Sequence, residues 1–179
     1  MGIYLPYITQ GILVLNEVEI LRVISNTTAD QCAVETNGYT PLIVEFENNR
    51  TSSPIYWRAG NYDTSLIGIG LNPNTGCFSS ISLLMFDSMN ESLSTSVPLI
   101  VERCMPVFDI FEWPNSGYLD SENDFLVSRN GKSIRFVFSE QLIMHKVFSN
   151  DNVDCCVDEQ GELIWIQVSG LDKKTLNEI

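Results

Sequence analysis

The segment DIFEWPNSGYLDSENDF, from Asp109 to Phe125, contains five acidic residues and no basic residue, with aromatic residues placed among the acids. The acids are Asp109, Glu112, Asp120, Glu122 and Asp124, and the aromatic residues include Trp113 and Tyr118. Carboxylates grouped in this way could bind a hard cation, work as an acid–base pair, or attract a positively charged partner. Each of these three chemistries makes a different demand on the neighbouring sequence.

A metal site is the first alternative, because Asp120, Glu122 and Asp124 alternate as the ligands at the opening of a calcium loop do. The glycine that turns such a loop is absent, since Phe125 stands in its place, and no bidentate glutamate follows at the loop's end. An exposed turn also buries its carboxylates too little to separate their pKa values for catalysis. We therefore expect no metal, no cofactor and no carboxylate catalysis here.

A cysteine–histidine hydrolase would have to use His145, because it is the only histidine, together with one of five cysteines. No nucleophile motif of the G-x-S-x-G kind surrounds any serine or cysteine. Adjacent Cys155 and Cys156 would point to opposite faces of a strand, so they cannot chelate one metal, and we expect one buried and one exposed thiol. We predict a protein that is not an enzyme, and a small hydrolase using His145 and a cysteine is the alternative.

Charge favours the third chemistry, because 23 acidic and 10 basic residues leave a formal net charge of −13. That excess repels phosphate backbones and anionic lipid headgroups, so we expect neither nucleic acid nor membrane as a partner, whereas a basic protein is attracted. A second block without a basic residue comprises Asp151, Asp154, Asp158, Glu159 and Glu162. We predict that both acidic blocks, with Trp113 and Tyr118 as apolar anchors, bind a partner; a charge that only maintains solubility is the competing explanation.

Length and composition indicate one globular domain over residues 1–179, because 44% of the residues are apolar and the chain is long enough to bury a core. Glu17 and Glu19 lie where an export signal would be apolar or small, and no run approaches the roughly 18 apolar residues of a membrane helix. Five irregularly spaced cysteines fit a reducing compartment better than a disulfide framework. We expect a cytoplasmic protein.

The elements that would position these residues are mostly strands. Turn residues between alternating apolar positions predict three hairpins, over Leu66–Phe86, Phe125–Phe138 and Val153–Val168. Further strands are predicted within Pro41–Glu47, Ser53–Gly60 and Val97–Trp113. The sequence therefore predicts a mainly β to α+β fold, a single domain with an antiparallel sheet or open barrel built from hairpins.

Finer expectations concern the last strand, the helices and the loops. Alternation predicts Leu163, Trp165 and Gln167 on one face of the strand and Ile164, Ile166 and Val168 on the other. One or two short helices are expected, within Ser139–Phe148 and within Leu171–Ile179, where Asp172 is a candidate cap. Polar stretches predict loops near Asn26, Asn49, Asn90 and Asn115.

The hairpin LIGIGLNPNTGCFSSISLLMF, in a small, acidic and β-rich chain, resembles immunity proteins of bacterial contact-dependent growth inhibition and polymorphic toxin systems. The resemblance covers mainly Leu66 to Phe86 and the general character of the chain. It implies a cytosolic protein that binds and blocks a cognate toxin domain, often a basic nuclease, and it implies no catalytic residue. A scaffold subunit of a cytosolic assembly, which would carry an extensive apolar self-interface, is a further alternative.

Overall fold

The computed structural model describes residues 20–91, 100–139 and 143–179, and the predictions made for Glu17, Glu19 and residues 97–99 lie outside them. The strands are β1 (Val23–Thr27), β2 (Cys32–Glu35), β3 (Leu42–Phe46), β4 (Ile55–Ala59), β5 (Leu66–Leu71), β6 (Phe78–Met85), β7 (Met89–Glu91), β8 (Ile100–Arg103), β9 (Met105–Phe108), β10 (Tyr118–Ser121), β11 (Leu126–Asn130), β12 (Ser133–Val137), β13 (Lys146–Asn150), β14 (Val153–Val157) and β15 (Leu163–Val168). Helix α1 spans Lys173–Glu178. The predicted mainly β class and all three predicted hairpins are confirmed.

The strands form two large sheets and one two-stranded ribbon. The six-stranded sheet has the order β10-β4-β5-β6-β3-β2, and the seven-stranded sheet has the order β7-β11-β12-β15-β14-β13-β8. The ribbon consists of β1 and β9. Neighbours are antiparallel except for β10 with β4, β7 with β11 and β8 with β13, which are parallel.

The two large sheets contain the same arrangement of five consecutive strands. In the first unit, residues 32–85, the order is β2-β3-β6-β5-β4, and in the second unit, residues 126–168, it is β11-β12-β15-β14-β13. In each unit a hairpin is followed by a three-stranded meander whose last strand returns to pair with the second strand. A further edge strand runs parallel to β4 in one sheet and to β13 in the other. The two large sheets are therefore built on units with the same strand plan.

The ribbon connects the two units crosswise. Strand β1 precedes the first unit, but Val23 N donates a 2.8 Å hydrogen bond to Gly161 O in the last turn of the second unit. Strand β9 precedes the second unit, but Phe108 N donates a 2.9 Å hydrogen bond to Gly76 O in the corresponding turn of the first unit. Val23 and Phe108 are themselves paired in the ribbon. Each unit is thus held by the strand that leads into the other.

One cluster of buried side chains spans both large sheets and the ribbon, in agreement with a single domain. Its largest members include Trp57 and Phe78 from the first unit, Phe108 from the ribbon and Phe136 from the second unit, all at most 1% exposed. Phe78 packs its ring against that of Phe108, with centroids 4.9 Å apart. Apolar burial of this kind is the main stabilising contribution to the fold.

A smaller apolar cluster covers the other face of the seven-stranded sheet. It consists of Val137, Met144, Val147, Cys156, Ile164 and Trp165. Cys155 belongs to the main core and Cys156 to this cluster, so the predicted opposite orientation is confirmed, but the expected exposed thiol is wrong because both are at most 1% exposed. A register shift between Cys156 and Val157 also breaks the predicted alternation, because Leu163 lies in the main core while Ile164 and Trp165 lie together.

Several local predictions are corrected. The helix expected within Ser139–Phe148 is wrong where the chain is described, because residues 143–145 have no regular structure and Lys146 begins β13. Asn26 and Asn90 lie in strands β1 and β7 instead of loops, because they pair with Pro106 and Ser128, far along the chain.

Helix α1 is confirmed, with its Asp172 cap accepting a 2.8 Å hydrogen bond from Thr175 N. No helix within the described ranges is long and apolar enough to cross a membrane.

The crosswise contacts predict different costs for two glycine substitutions. Gly161 and Gly131 both have positive φ, 82° and 58°, but a Cβ on Gly161 would lie 2.5 Å from Val23 O, whereas one on Gly131 would meet no atom within 4 Å. Gly131→Ala should cost only the backbone strain, about 1 kcal/mol of unfolding free energy. Gly161→Ala should cost about 1–3 kcal/mol more, measured by urea unfolding. Equal losses at the two positions would show that the ribbon contact does not matter.

Candidate functional site

A cleft of about 670 Å³ lies where the ribbon approaches the last turn of the second unit. It is lined by Ile20, Leu21, Arg22, Asp109, Ile110, Phe111, Glu112, Trp113, Leu119 and Glu162. Its volume is in the range of pockets that hold drug-sized ligands. Four of the predicted partner-binding residues, Asp109, Glu112, Trp113 and Glu162, line this cleft, and they come from both acidic blocks.

The segment after β9 forms one wall of the cleft through local turns. Asp109 N donates a 2.8 Å hydrogen bond to Arg22 O, and the Asp109 carboxylate accepts one of 3.1 Å from Phe111 N. Aspartate commonly organises a turn in this way, because its short side chain reaches the backbone two residues ahead. Trp113 N then donates to Ile110 O over 3.3 Å. These turns place Ile110 and Trp113 against the core and leave Phe111 and Glu112 exposed.

The described residues of the cleft supply three carboxylates and a single guanidinium. Arg22 Nη2 lies 2.9 Å from Glu162 Oε1, and both residues are also joined by a backbone bridge. The two side chains are 55% and 38% exposed, so solvent screening keeps the pair's contribution to stability within about 1 kcal/mol. No ion pair to Asp109 or Glu112 is found in the described part of the chain. The cleft therefore carries an excess of negative charge.

Phe111 is the exposed aromatic residue at this site that was not predicted from the sequence to bind a partner. Its side chain is 89% exposed, which is unusual for a phenylalanine, whereas the expected anchor Trp113 is half-buried against the core. The indole Nε1 of Trp113 is buried and has no hydrogen-bond partner among the described residues. Turn residues on both sides, Asp109 and Pro114, were the available signal that Phe111 lies on a loop.

Tyr118 and Asp120 do not join the cleft. Strand β10 alternates, so Leu119 packs against the core while Tyr118 and Asp120 lie on the opposite face of the six-stranded sheet. The Arg58 guanidinium donates to both Asp120 carboxylate oxygens, at 2.7 and 2.8 Å, and also stacks 4.4 Å from the centre of the Tyr118 ring. These hydrogen bonds lower the pKa of Asp120. Its charge is thus already paired within the protein.

A tyrosine beside this ion pair has a perturbed acidity. Tyr62 donates a 3.1 Å hydrogen bond to Arg58 O. Partial burial, followed by the negative charge of Asp120, raises the pKa of Tyr62 to about 12. The hydroxyl therefore stays protonated at neutral pH and acts as a hydrogen-bond donor.

The remaining acids of the opening segment have separate positions. The Asp124 carboxylate accepts hydrogen bonds from Ser65 Oγ and, over 3.3 Å, from Asn61 Nδ2, so it holds the loop between β4 and β5. Glu122 is exposed. Within the described ranges, no group of three His, Cys, Asp or Glu side chains is placed to hold a metal ion. The acids from Asp109 to Asp124 therefore do not form one continuous site.

The second acidic block is also divided. Asp151, with a φ of 52°, lies in the turn between β13 and β14 and accepts a 3.2 Å hydrogen bond from Cys32 N. Asp158 and Glu159 lie in the turn at the other end of β14, roughly 20 Å away along the strand, with Asp154 between them. Asp158 holds its own turn by accepting hydrogen bonds from Gln160 N and Glu162 N. Of this block, only Glu162 reaches the cleft.

His145 lies elsewhere, half-buried beside a different cleft of about 390 Å³ that Lys146, Asp158 and Glu159 also line. No cysteine is among the described residues that line it. Burial raises the pKa of Cys156 to about 12 and that of Cys32 to about 11, and it also raises those of the other three thiols. A protonated thiol is a poor nucleophile, so this geometry gives the hydrolase alternative no support.

No protein-family model matches the chain, and no curated protein matches it. Of the sites described above, the cleft between Arg22, Asp109 and Glu162 combines an exposed aromatic ring with two carboxylates, those of Asp109 and Glu112, that form no ion pair within the described residues.

The exposure of the two cleft aromatics predicts different effects on stability. Phe111→Ala should change the free energy of unfolding by no more than about 0.5 kcal/mol, because the ring is already exposed to water. Trp113→Ala should cost about 2 kcal/mol or more, because it removes a ring packed against the core. Chemical unfolding of both variants measures the contrast. A large loss for Phe111→Ala would mean that this ring supports the fold.

Proposed function

We propose that this chain is an immunity-type protein that binds and neutralises a basic toxin domain, and that the cleft is its contact surface. The observation that carries the proposal is the meeting of Asp109, Glu112 and Glu162 around an exposed Phe111. Aromatic residues, including phenylalanine, are enriched at protein interfaces, where a partner covers their apolar rings. The neighbouring carboxylates supply the charge that a basic partner requires.

In the proposed complex, charge acts on the rate of association and apolar contact acts on the rate of dissociation. Two unit charges 4 Å apart interact by about 1 kcal/mol in bulk water and about 4 kcal/mol near a protein surface. Such attraction accelerates the encounter and orients the partner, while the covered apolar area slows dissociation. The net charge of −13 extends the attraction beyond the cleft.

A basic nuclease is the toxin class that this surface fits best. A nuclease groove carries positive charge because it binds phosphates. A protein that presents carboxylates to the same groove competes with the nucleic acid for those charges. The proposal includes a cytoplasmic location, because that is where a toxin of this class meets its substrate.

The two alternatives make different demands on the molecule. A scaffold subunit needs an apolar surface that pairs with a second copy, but two copies of a chain with this net charge repel each other. A hydrolase needs His145 and a reactive cysteine in one pocket. Binding of a basic partner at the Asp109 cleft requires neither an apolar self-interface nor a pocket that holds His145 and a cysteine.

Growth protection tests the proposed function. The chain is co-expressed with candidate toxin domains, including the product of any toxin gene found beside its own, and colony counts are compared with those from an empty vector. We expect one cognate toxin to be neutralised and unrelated toxins to remain lethal. The proposal is wrong if none of these toxins is neutralised by a chain shown to be folded and expressed.

Association kinetics test the role of charge in the complex. Raising the ionic strength from about 50 to 200 mM should slow association with the toxin strongly and change dissociation little, because screening acts on the approach. Asp109→Asn with Glu112→Gln should lower the association rate and flatten its salt dependence. Glu35→Gln with Asp87→Asn, two exposed acids outside the cleft lining, provides a control with the same net charge. An association rate that does not change with ionic strength would contradict electrostatic steering of the partner.

A further inference from the structure

We propose that the cleft receives an arginine side chain from a loop of the partner, with Phe111 packing on the partner residues beside that arginine. This inference rests on the proposed function and specifies the chemistry of the group that enters. Arginine is preferred over lysine because its planar guanidinium can donate to two carboxylates at once and can stack on an aromatic ring.

The charges of the cleft define the first requirement for its occupant. Arg22 is the one base among the described residues that line the cleft, and it is paired with Glu162. Asp109 uses a carboxylate oxygen for a backbone N–H, and a carboxylate can accept further hydrogen bonds. Glu112 is exposed at the same wall. A guanidinium, which has five N–H donors and no acceptor, would satisfy both carboxylates without introducing an unpaired group.

The apolar walls define the second requirement. Ile110, Trp113 and Leu119 all line the cleft and pack partly against the core, so they are rigidly supported. The aliphatic stem of an arginine can lie along such a surface while its charged end stays with the carboxylates. The volume of about 670 Å³ leaves room for the residues that flank the arginine.

Arg22 already forms an arginine–carboxylate ion pair in the cleft. Its guanidinium lies 2.9 Å from Glu162 and belongs to the same wall as Leu21. Within this chain, Arg58 makes a comparable contact, because it binds the Asp120 carboxylate with two donors while stacking on Tyr118. Asp109, Glu112 and the aromatic rings offer the same combination of groups, and the lining residues that the structure describes include no second arginine to bind them.

Titration of the full chain with peptides tests whether an arginine side chain binds in the cleft. The probe is an acetylated and amidated peptide of four Gly-Arg repeats, and the matched peptides carry lysine or neutral citrulline in place of arginine. Binding is followed at low ionic strength by the NMR signals of the Phe111 amide and the Trp113 indole. We expect the arginine peptide to shift these signals and to bind at least tenfold more tightly than the citrulline peptide, with lysine between them. Equal affinity for citrulline would overturn the proposal.

Two pairs of substitutions separate the cleft from the general charge of the protein. Asp109→Asn with Glu112→Gln should weaken binding of the arginine peptide at least tenfold. Glu35→Gln with Asp87→Asn, which changes the net charge equally, should weaken it less than twofold. Equal weakening by both pairs would mean that the peptide senses only net charge, and the proposal would be wrong. Phe111→Ala, whose ring is exposed, should weaken binding without a loss of folding stability.

Growth protection distinguishes failure of this inference from failure of the proposed function. If the chain neutralises a toxin but the arginine peptide does not bind the cleft, the inference that an arginine side chain enters the cleft is wrong and the proposed function stands. If the arginine peptide binds as expected but no toxin is neutralised, the cleft chemistry stands and the proposed function is wrong. Once the structure of the complex identifies the toxin arginine that enters the cleft, a toxin variant with glutamine at that position should escape neutralisation.

Discussion

The structure depends on two backbone hydrogen bonds by which the ribbon holds the two units, from Val23 N to Gly161 O and from Phe108 N to Gly76 O. A buried backbone group must find a partner, and here each unit finds it on the strand that leads into the other unit. The approach is close enough that only glycine fits, because a Cβ at either turn would lie within 2.6 Å of a carbonyl oxygen. The ribbon is therefore the element that joins two similar sheets into one core.

The cleft is a direct consequence of this crossing. Leu21 and Arg22 precede β1, Asp109 follows β9, and Glu162 follows the glycine that β1 contacts. The cleft thus includes residues that flank both strands of the ribbon and a residue of the second unit, and neither unit holds all of them. A site of this kind is well supported, because its walls rest on the core through Ile110, Trp113 and Leu119. Only its charged and aromatic residues are left to face a partner.

Acidic residues have very different environments in this fold. Asp30 is only 5% exposed and accepts hydrogen bonds from Asn48 and Asn49, while Asp120 is paired with Arg58. Asp124 and Asp158 hold loops through the short reach of the aspartate side chain. The longer glutamates at positions 112, 122 and 159 remain exposed. A run of acids in the sequence therefore indicates charge but not a common surface.

The sequence by itself determined the mainly β class, the three hairpins, the Asp172 cap and the negative charge, because turn geometry, strand alternation and capping depend on neighbouring residues. Only the tertiary structure decided that Asn26 and Asn90 lie in strands, that both Cys155 and Cys156 are buried, and that Glu162 meets Asp109. Each of these outcomes depends on a partner far along the chain, and a strand's partner is chosen by packing and hydrogen bonding across the whole fold. The same reason explains why Trp113 became a supporting wall while Phe111 remained exposed: burial is a property of the assembled core, not of the residue type.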